Sequence, residues 1–339
     1  MSFSLGGEAM RRRDFIKATA AVTTAWPLAA RAQQPARMRR VGVLLPFDEN
    51  DPEVINRVKQ FRLGMRDLDW IEGRSVLIDF RFTGANSESI SRGVTELIKT
   101  APEVIVSYAT PGLSAVRRAT STIPIVFVNV TDPVGQGVVP SLAHPGGNIT
   151  GFSFIEPEMV GKWINLLGDV KPGLSRAALM FNPDTAPFFD PYYRSFKAAP
   201  QQSAVEVDVA HVRTAGEIES TIAKLGNEQN SGLILGSDIF LVNMREPIIK
   251  LANERGVPTI SAYRQFVAEG SLMAYGPDTG DISRRASSYV DRILKGEQAG
   301  NLPVQSPIRF ELTVNLKTAK ALGLSPRESV LQLCDEVIE

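Results

Sequence analysis

The stretch Arg40–Pro46 reads RVGVLLP, and the stretch Pro52–Asp69 after it carries apolar residues at spacings of three and four. A short apolar run with β-branched residues predicts a buried parallel strand, and the second pattern predicts an amphipathic helix. The apolar positions of this helix are Val54, Val58, Phe61, Met65 and Leu68.

The same alternation of strand and helix continues along the first half of the chain. The next predicted elements are strand Val76–Phe82, helix Ser87–Lys99 with Asn86 as its N-cap, strand Val104–Tyr108, helix Gly112–Ala119 and strand Ile125–Val130. Strands that alternate with helices predict an α/β fold with a doubly wound parallel sheet.

After Gly146-Gly147-Asn148 the alternation starts again. The predicted elements are strand Ile149–Phe154, helix Glu158–Leu167, strand Ala177–Phe181, helix Pro191–Ala199, strand Val205–His211, helix Ala215–Leu225, strand Gly232–Leu235, helix Arg245–Glu254, strands Thr259–Ser261 and Leu272–Tyr275, helix Ile282–Leu294 and strand Pro307–Val314. We therefore expect two doubly wound parallel-sheet lobes joined by hinge strands. Lobe 1 comprises residues 40–150 and 276–306, and lobe 2 comprises residues 151–275 and 307–339.

Composition excludes several classes of protein. The 339 residues include 37 basic and 37 acidic side chains, so there is no excess of positive charge to attract nucleic acid. The single cysteine, Cys334, excludes an intrachain disulfide. His144 and His211 lie far apart in the sequence without further ligands at metal-binding spacing, so no metal site is expected.

The N-terminus has the three parts of an export signal. A charged segment, Arg11–Lys17, precedes the mildly apolar Ala18–Ala30, and Ala30-Arg31-Ala32 fits a signal-peptidase site. The pair Arg12-Arg13 resembles the twin-arginine signal. We therefore expect residues 1–32 to be a cleaved signal peptide and the mature protein to be soluble in the periplasm.

The loops that follow the strands are where a ligand site is expected, because ligands bind beyond the carboxyl ends of parallel strands. The candidate ligand-binding residues there are Phe47, Tyr108, Thr110, Ser114, Asp132, Asn182, Asp238, Phe240 and Tyr275. Thr110 and Ser114 could hold a carboxylate at a helix start or simply cap it. Asp132 and Asp238 could accept from an ammonium group, and the aromatic rings could stack on an apolar body; caps, turns and packing are the alternative roles.

Catalytic and cofactor motifs are missing from these loops. Neither GxSxG, HExxH, a calcium loop, Walker A nor GxGxxG occurs at a strand-to-helix turn. We therefore expect no catalytic residues and no cofactor.

Three runs of sequence resemble the ABC transporter substrate-binding family of the tryptophan/tyrosine type. They are Asp132–Gly135 (DPVG), Leu142–Gly151 (LAHPGGNITG) and Asn315–Leu324 (NLKTAKALGL). The resemblance implies a type I periplasmic-binding-protein fold with the ligand enclosed between lobes that three segments connect. It also implies that Thr110 and Ser114 meet a carboxylate and that Asn182, Asp238 and Tyr275 lie in the cleft loops.

The expected function is capture of a small organic ligand, an amino acid or another carboxylate, and its delivery to the membrane permease of an ABC importer. Lobe closure on the ligand is the expected mechanism, and we expect a monomer. Alternatives are a ligand-sensing partner of a membrane receptor and an exported enzyme. A transcriptional regulator is disfavoured because no helix-turn-helix precedes Val41.

Changing Arg12 and Arg13 together to Lys should leave the protein in the cytoplasm, because twin-arginine export depends on that pair. Cell fractionation and immunoblotting measure the outcome. Undiminished periplasmic protein in the variant would contradict the twin-arginine assignment.

Overall fold

The computed structural model describes residues 38–156, 158–198 and 205–339, so the predicted signal peptide lies outside the described residues. Sheet A is wholly parallel, with strand order β2-β1-β3-β4-β5. Its strands are β1 (Arg39–Leu45), β2 (Val76–Phe82), β3 (Val104–Tyr108), β4 (Ile125–Val130) and β5 (Ile149–Ser153). β1 lies between β2 and β3, so the strand order reverses there and gives the doubly wound order that was expected.

Helices connect the strands of sheet A as predicted. They are α1 (Pro52–Asp67), α2 (Ser87–Lys99) and α3 (Ala109–Ala119). The side chain of Asn86 caps α2 by accepting from the backbone N–H groups of Glu88 and Ser89. Helix α3 begins at Ala109 rather than at the predicted Gly112, because Pro111 is tolerated in a first turn and does not delay the start.

Sheet B has strand order β12-β11-β10-β9-β8-β6-β7. Its strands are β6 (Arg176–Phe181), β7 (Glu206–His211), β8 (Ser231–Leu235), β9 (Thr259–Ser261), β10 (Met273–Pro277), β11 (Phe310–Asn315) and β12 (Glu336–Ile338). All neighbours are parallel except β10 and β11. Sheet B is therefore parallel as expected except at β11, which joins the sheet after the chain returns from the other lobe.

The remaining helices surround sheet B, apart from α10, which packs along α1 beside sheet A. They are α4 (Met159–Val170), α5 (Phe189–Ala198), α6 (Ala215–Asn227), α7 (Ile239–Asn243), α8 (Arg245–Glu254), α9 (Gln265–Ala268), α10 (Thr279–Leu294), α11 (Leu316–Ala321) and α12 (Glu328–Leu331). Sequence periodicity missed α7, α9, α11 and α12 because each is too short to show a repeat.

Sheet A with α1, α2, α3 and α10 forms the sheet-A lobe, and the other elements form the sheet-B lobe. The chain passes between them after β5, after β10 and before β11. Two α/β lobes were expected and are confirmed. The lobe boundaries drawn from the sequence stay a prediction; two of them, after Thr150 and after Tyr275, fall inside β5 and β10. In the described part of the chain, no helix has the length and apolar character needed to span a membrane.

The PGGN run is a structural turn. Gly146 and Gly147 have φ of 67° and 58°, which favour glycine, and the N–H of Gly146 donates to the carbonyl of Gly300 at 3.1 Å. The side-chain amide of Asn148 donates to the carbonyl of Ile123 at 2.7 Å. This motif therefore ties the start of β5 to the segment that returns from α10.

The contact between α1 and α10 leaves no room for a side chain at Gly64. A Cβ there would lie 2.2 Å from Oγ of Ser287 and 2.6 Å from the carbonyl oxygen of Arg284. The small residue thus lets the two helices of the sheet-A lobe approach closely.

Gly64→Ala should lower the free energy of unfolding by about 1–3 kcal/mol, because the overpacking of α1 against α10 outweighs the gain in helix propensity. Urea unfolding measures the change. The control is Gly216→Ala in α6, where an added Cβ meets no atom within 4 Å and should change stability by no more than about 1 kcal/mol. Equal changes in unfolding free energy for Gly64→Ala and Gly216→Ala would contradict the close approach of α1 and α10.

Candidate functional site

The carboxyl-terminal ends of the parallel strands of the two sheets meet between the lobes. The ring of Tyr263, which follows β9, stacks on the ring of Phe154, which follows β5, with centroids 5.0 Å apart. The hydroxyl of Tyr192 in α5 donates to the carbonyl of Ile155 at 3.0 Å. The strand-end loops of both lobes therefore face each other across a common cleft.

Arg57, on the buried side of α1, brings a positive charge into this cleft. Its side chain is 1% exposed, and its guanidinium carbon lies 4.9 Å from the ring centroid of Phe47 and 5.9 Å from that of Tyr263. One ring belongs to each lobe. Aromatic faces attract a cation, but they do not replace the hydrogen bonds that water gave it.

The guanidinium of Arg57 has no hydrogen-bond acceptor among the residues that the structure describes: Nε, Nη1 and Nη2 are all buried and unpaired. Nor does any described carboxylate form an ion pair with it. A buried charge without a partner costs several kcal/mol, so this arrangement calls for an anion from outside the chain. A carboxylate fits because it accepts two parallel bonds from a guanidinium.

The two phenols beside Arg57 do not supply that negative charge. Burial raises the pKa of Tyr108 to about 12 and also raises the pKa of Tyr263 to about 12, although the positive charge of Arg57 opposes both shifts. Both phenols therefore stay protonated at neutral pH. They offer polar O–H groups around a cation that remains uncompensated.

Asp238 contributes a buried negative charge from the sheet-B lobe. It is 1% exposed and caps α7. One carboxylate oxygen accepts from the N–H of Asn182 at 2.8 Å, and the other accepts from the N–H of Phe240 at 2.9 Å and from the hydroxyl of Thr185. These bonds hold the loop after β6 against the loop after β8.

The charges of Arg57 and Asp238 have opposite effects on the phenol of Tyr263. Arg57, whose guanidinium carbon lies 5.9 Å from the centroid of that ring, lowers the pKa of Tyr263, and the charge of Asp238 raises it. The cleft therefore contains two buried charges of opposite sign, one from each lobe, that form no ion pair with each other. Such a pair complements a molecule that carries both a carboxylate and an ammonium group.

Two further polar side chains at strand ends are buried without partners. Asn129, the penultimate residue of β4, has φ of 57° where the pairing with β5 shifts register, and neither atom of its amide is bonded. The hydroxyl of Ser237, two residues after the end of β8, is also unpaired. Buried polar groups are normally hydrogen-bonded, so both are candidates to bind polar atoms of a ligand.

The residues predicted from the sequence fall into two groups. Four predicted residues lie at the two charges. Phe47 and Tyr108 lie beside Arg57, Asp238 is itself the negative charge, and Asn182 lies beside Asp238. Asp132 instead accepts from the N–H of Gly135 at 2.8 Å in its own turn.

The other predicted positions lie in different surroundings. Thr110 is the second residue of α3 and Ser114 is in its interior, because the helix starts earlier than predicted. Phe240 lies within α7 rather than in a loop, and its N–H donates to Asp238. The ring of Tyr275 stacks on that of Phe310 at 5.9 Å inside sheet B.

The sequence analysis missed Arg57, Asn129, Ser237 and Tyr263. For Arg57 a signal was present: it lies three residues after Val54 and four before Phe61, on the apolar stripe of α1. A charged residue on the buried stripe of a helix is unusual enough to indicate a function. Asn129 lies near the end of β4, Ser237 and Tyr263 lie in strand-end loops, and no pattern in the sequence distinguishes the three from strand or turn residues.

Asp238 is a weaker acid than an ordinary aspartate. Burial raises its pKa to about 6 from an ordinary 3.8, despite its three hydrogen bonds. Since the folded pKa exceeds the unfolded one, the contribution of Asp238 to stability is complete below about pH 4 and is lost as the pH rises through about 6. The loss amounts to at most about 3 kcal/mol.

Asp238→Asn removes this titration. The unfolding free energy of the wild type should therefore fall relative to that of the variant between about pH 4 and pH 7, as measured by urea denaturation across that range. Asp184→Asn, at a partly exposed carboxylate in the neighbouring loop, is the control and should follow the wild-type profile. Parallel profiles for wild type and Asp238→Asn would contradict the raised pKa.

Comparison with known proteins agrees with this fold. A family model described as "ABC transporter substrate binding protein" matches residues 41–338. A tyrosine-binding protein of Clostridioides difficile (strain R20291) is 25% identical over 287 residues, which are 80% of this chain and 78% of that protein.

Solved structures share the two-lobed fold. A conserved domain protein from Vibrio cholerae has a TM-score of 0.80 at 25% identity, and an ABC domain in complex with L-Trp from Streptococcus pneumonia has a TM-score of 0.81 at 22% identity. Each match covers 89% of this chain and 100% of the other. The resemblance inferred from the sequence motifs is confirmed, and this chain belongs to the family of ABC transporter substrate binding proteins.

Proposed function

We propose that this protein captures an α-amino acid with an aromatic or apolar side chain outside the cytoplasmic membrane and delivers it to an ABC importer. The observation that carries the proposal is the pair of buried charges, Arg57 and Asp238, which belong to opposite lobes and form no ion pair with each other, while the guanidinium of Arg57 has no acceptor in the described chain. An α-amino acid carries its carboxylate and ammonium on one carbon and complements both charges at once.

In this proposal Arg57 binds the ligand carboxylate and takes the role that the sequence analysis assigned to Thr110 and Ser114. Asp238 accepts from the ammonium group through lone pairs that its three protein donors leave free. The rings of Phe47 and Tyr263 provide faces for an apolar ligand body. Capture of this kind makes and breaks no covalent bond.

Closure follows from the same arrangement. A ligand bound to Arg57 in the sheet-A lobe and to Asp238 in the sheet-B lobe stabilises the closed form, because the open form separates the two contacts. The closed form then docks on a membrane permease. Export rests on the predicted signal peptide around Arg12 and Arg13.

The family and two of its members support an amino-acid ligand. The related C. difficile protein is named for tyrosine, and the related S. pneumonia domain was solved with L-Trp. These ligands carry the same carboxylate and ammonium pair beside an aromatic ring, which is the chemistry that we assign to the cleft of this chain.

Calorimetry on ligand-stripped mature protein tests the proposal with three related compounds. L-tyrosine carries both charged groups, tyramine lacks the carboxylate, and 3-(4-hydroxyphenyl)propanoate lacks the ammonium. L-tyrosine should bind tightest. Arg57→Met should weaken binding of L-tyrosine and the propanoate at least about tenfold and leave tyramine unchanged, because only the carboxylate contact is lost.

Asp238→Asn should show the reverse pattern, weakening L-tyrosine and tyramine but not the propanoate. Arg118→Met, at an exposed position of α3, is the matched control and should bind all three compounds like the wild type. The proposal fails if none of L-tyrosine, L-tryptophan, L-phenylalanine and L-leucine binds, or if the two cleft variants lose all compounds equally.

A further inference from the structure

Arg245, at the start of α8 in the sheet-B lobe, forms an ion pair across the cleft. Its Nη1 lies 2.8 Å from Oδ2 of Asp51, which belongs to the sheet-A lobe. The two side chains are only 19% and 5% exposed, so the pair is shielded from water. This contact lies outside the set of groups that we assign to the ligand.

Both partners are attached to the elements that carry the recognition charges. The other oxygen of Asp51 accepts from the N–H of Glu53 at 2.9 Å, so Asp51 is the N-cap of α1, the helix that contains Arg57. Arg245 also donates to the carbonyl of Val242 at 3.1 Å, within α7, the helix that Asp238 caps. Arg245 therefore links the N-terminus of α1, which carries Arg57, to α7, which Asp238 caps.

Each partner of the ion pair keeps a second partner within its own lobe. Nε of Arg245 lies 3.2 Å from Oε1 of Glu269 in the sheet-B lobe, and Asp51 keeps its capping bond to Glu53 in the sheet-A lobe. Opening the cleft therefore separates Asp51 from Arg245 without leaving either charge unpaired. A bond that forms and breaks at this low cost suits a reversible closure.

We infer that Arg245 is a positioning residue that favours the closed form of the ligand-free protein through Asp51 and thereby raises ligand affinity. The inference rests on the proposed function of the cleft. When a ligand binds only the closed form, its apparent Kd equals the intrinsic Kd divided by the closed fraction. Weakening the ion pair therefore raises the apparent Kd by the factor by which it lowers the closed fraction.

The test compares Arg245→Gln and Asp51→Asn with the wild type. Asparagine is a good N-cap, so the second variant removes the charge and preserves the start of α1. Spin labels at Lys99→Cys and Glu219→Cys, one exposed position in each lobe, with Cys334→Ser, report the closed fraction of ligand-free protein by electron–electron distance measurement. Calorimetry and stopped-flow kinetics with L-tyrosine report Kd and the dissociation rate.

Both variants should lower the closed fraction several-fold, raise Kd by the same factor and speed dissociation. Arg245→Lys keeps the positive charge and should restore most of the closed fraction and of the affinity. Arg264→Gln, which breaks a 2.7 Å ion pair with Glu336 within the sheet-B lobe, is the control and should change nothing.

The inference would be overturned if Arg245→Gln and Asp51→Asn both had the same closed fraction and the same Kd as the wild type. Failure of the wild type to bind any amino acid would instead count against the proposed function, and the distance measurement would still decide whether Arg245 favours closure.

Discussion

A buried guanidinium without a protein acceptor is the constraint around which the cleft is organised. Arg57 lies between one aromatic ring from each lobe, and the neighbouring phenols stay protonated, so nothing in the described chain neutralises its charge. Such a group lowers stability unless an anion joins it. The unpaired guanidinium of Arg57 lies between the two lobes, where an anion from solution can reach it.

The opposite charge lies in the other lobe, and this division couples recognition to movement. Asp238 is held by three donors in the strand-end loops of sheet B, while Arg57 is held by a helix beside sheet A. Neither lobe alone presents both charges. In the closure that we propose, the two charges approach one ligand, and the ion pair between Asp51 and Arg245 forms in the same movement.

Much of the fold could be predicted because buried apolar residues recur in the sequence at the spacing of a helix or a strand. The apolar strand of Arg40–Pro46 and the helix after it were recognised from spacing, and Asn86 was recognised as a cap from its chemistry. The site was harder. Phe47, Tyr108, Asn182 and Asp238 lie at or just after strand ends and were predicted for that reason, whereas Arg57 lies within a helix and was not predicted.

The sequence by itself determined two α/β lobes and the family, and it predicted the edge of each sheet at which a ligand is expected, because hydrophobic period and turn residues are local properties. The tertiary structure alone decided that β11 runs antiparallel, that Asp132 is bound in its own turn, and that Arg57 is buried between the rings of Phe47 and Tyr263. Those facts depend on contacts between residues far apart in the chain. Only the packing of one lobe on the other brings such residues together, and no local pattern records it.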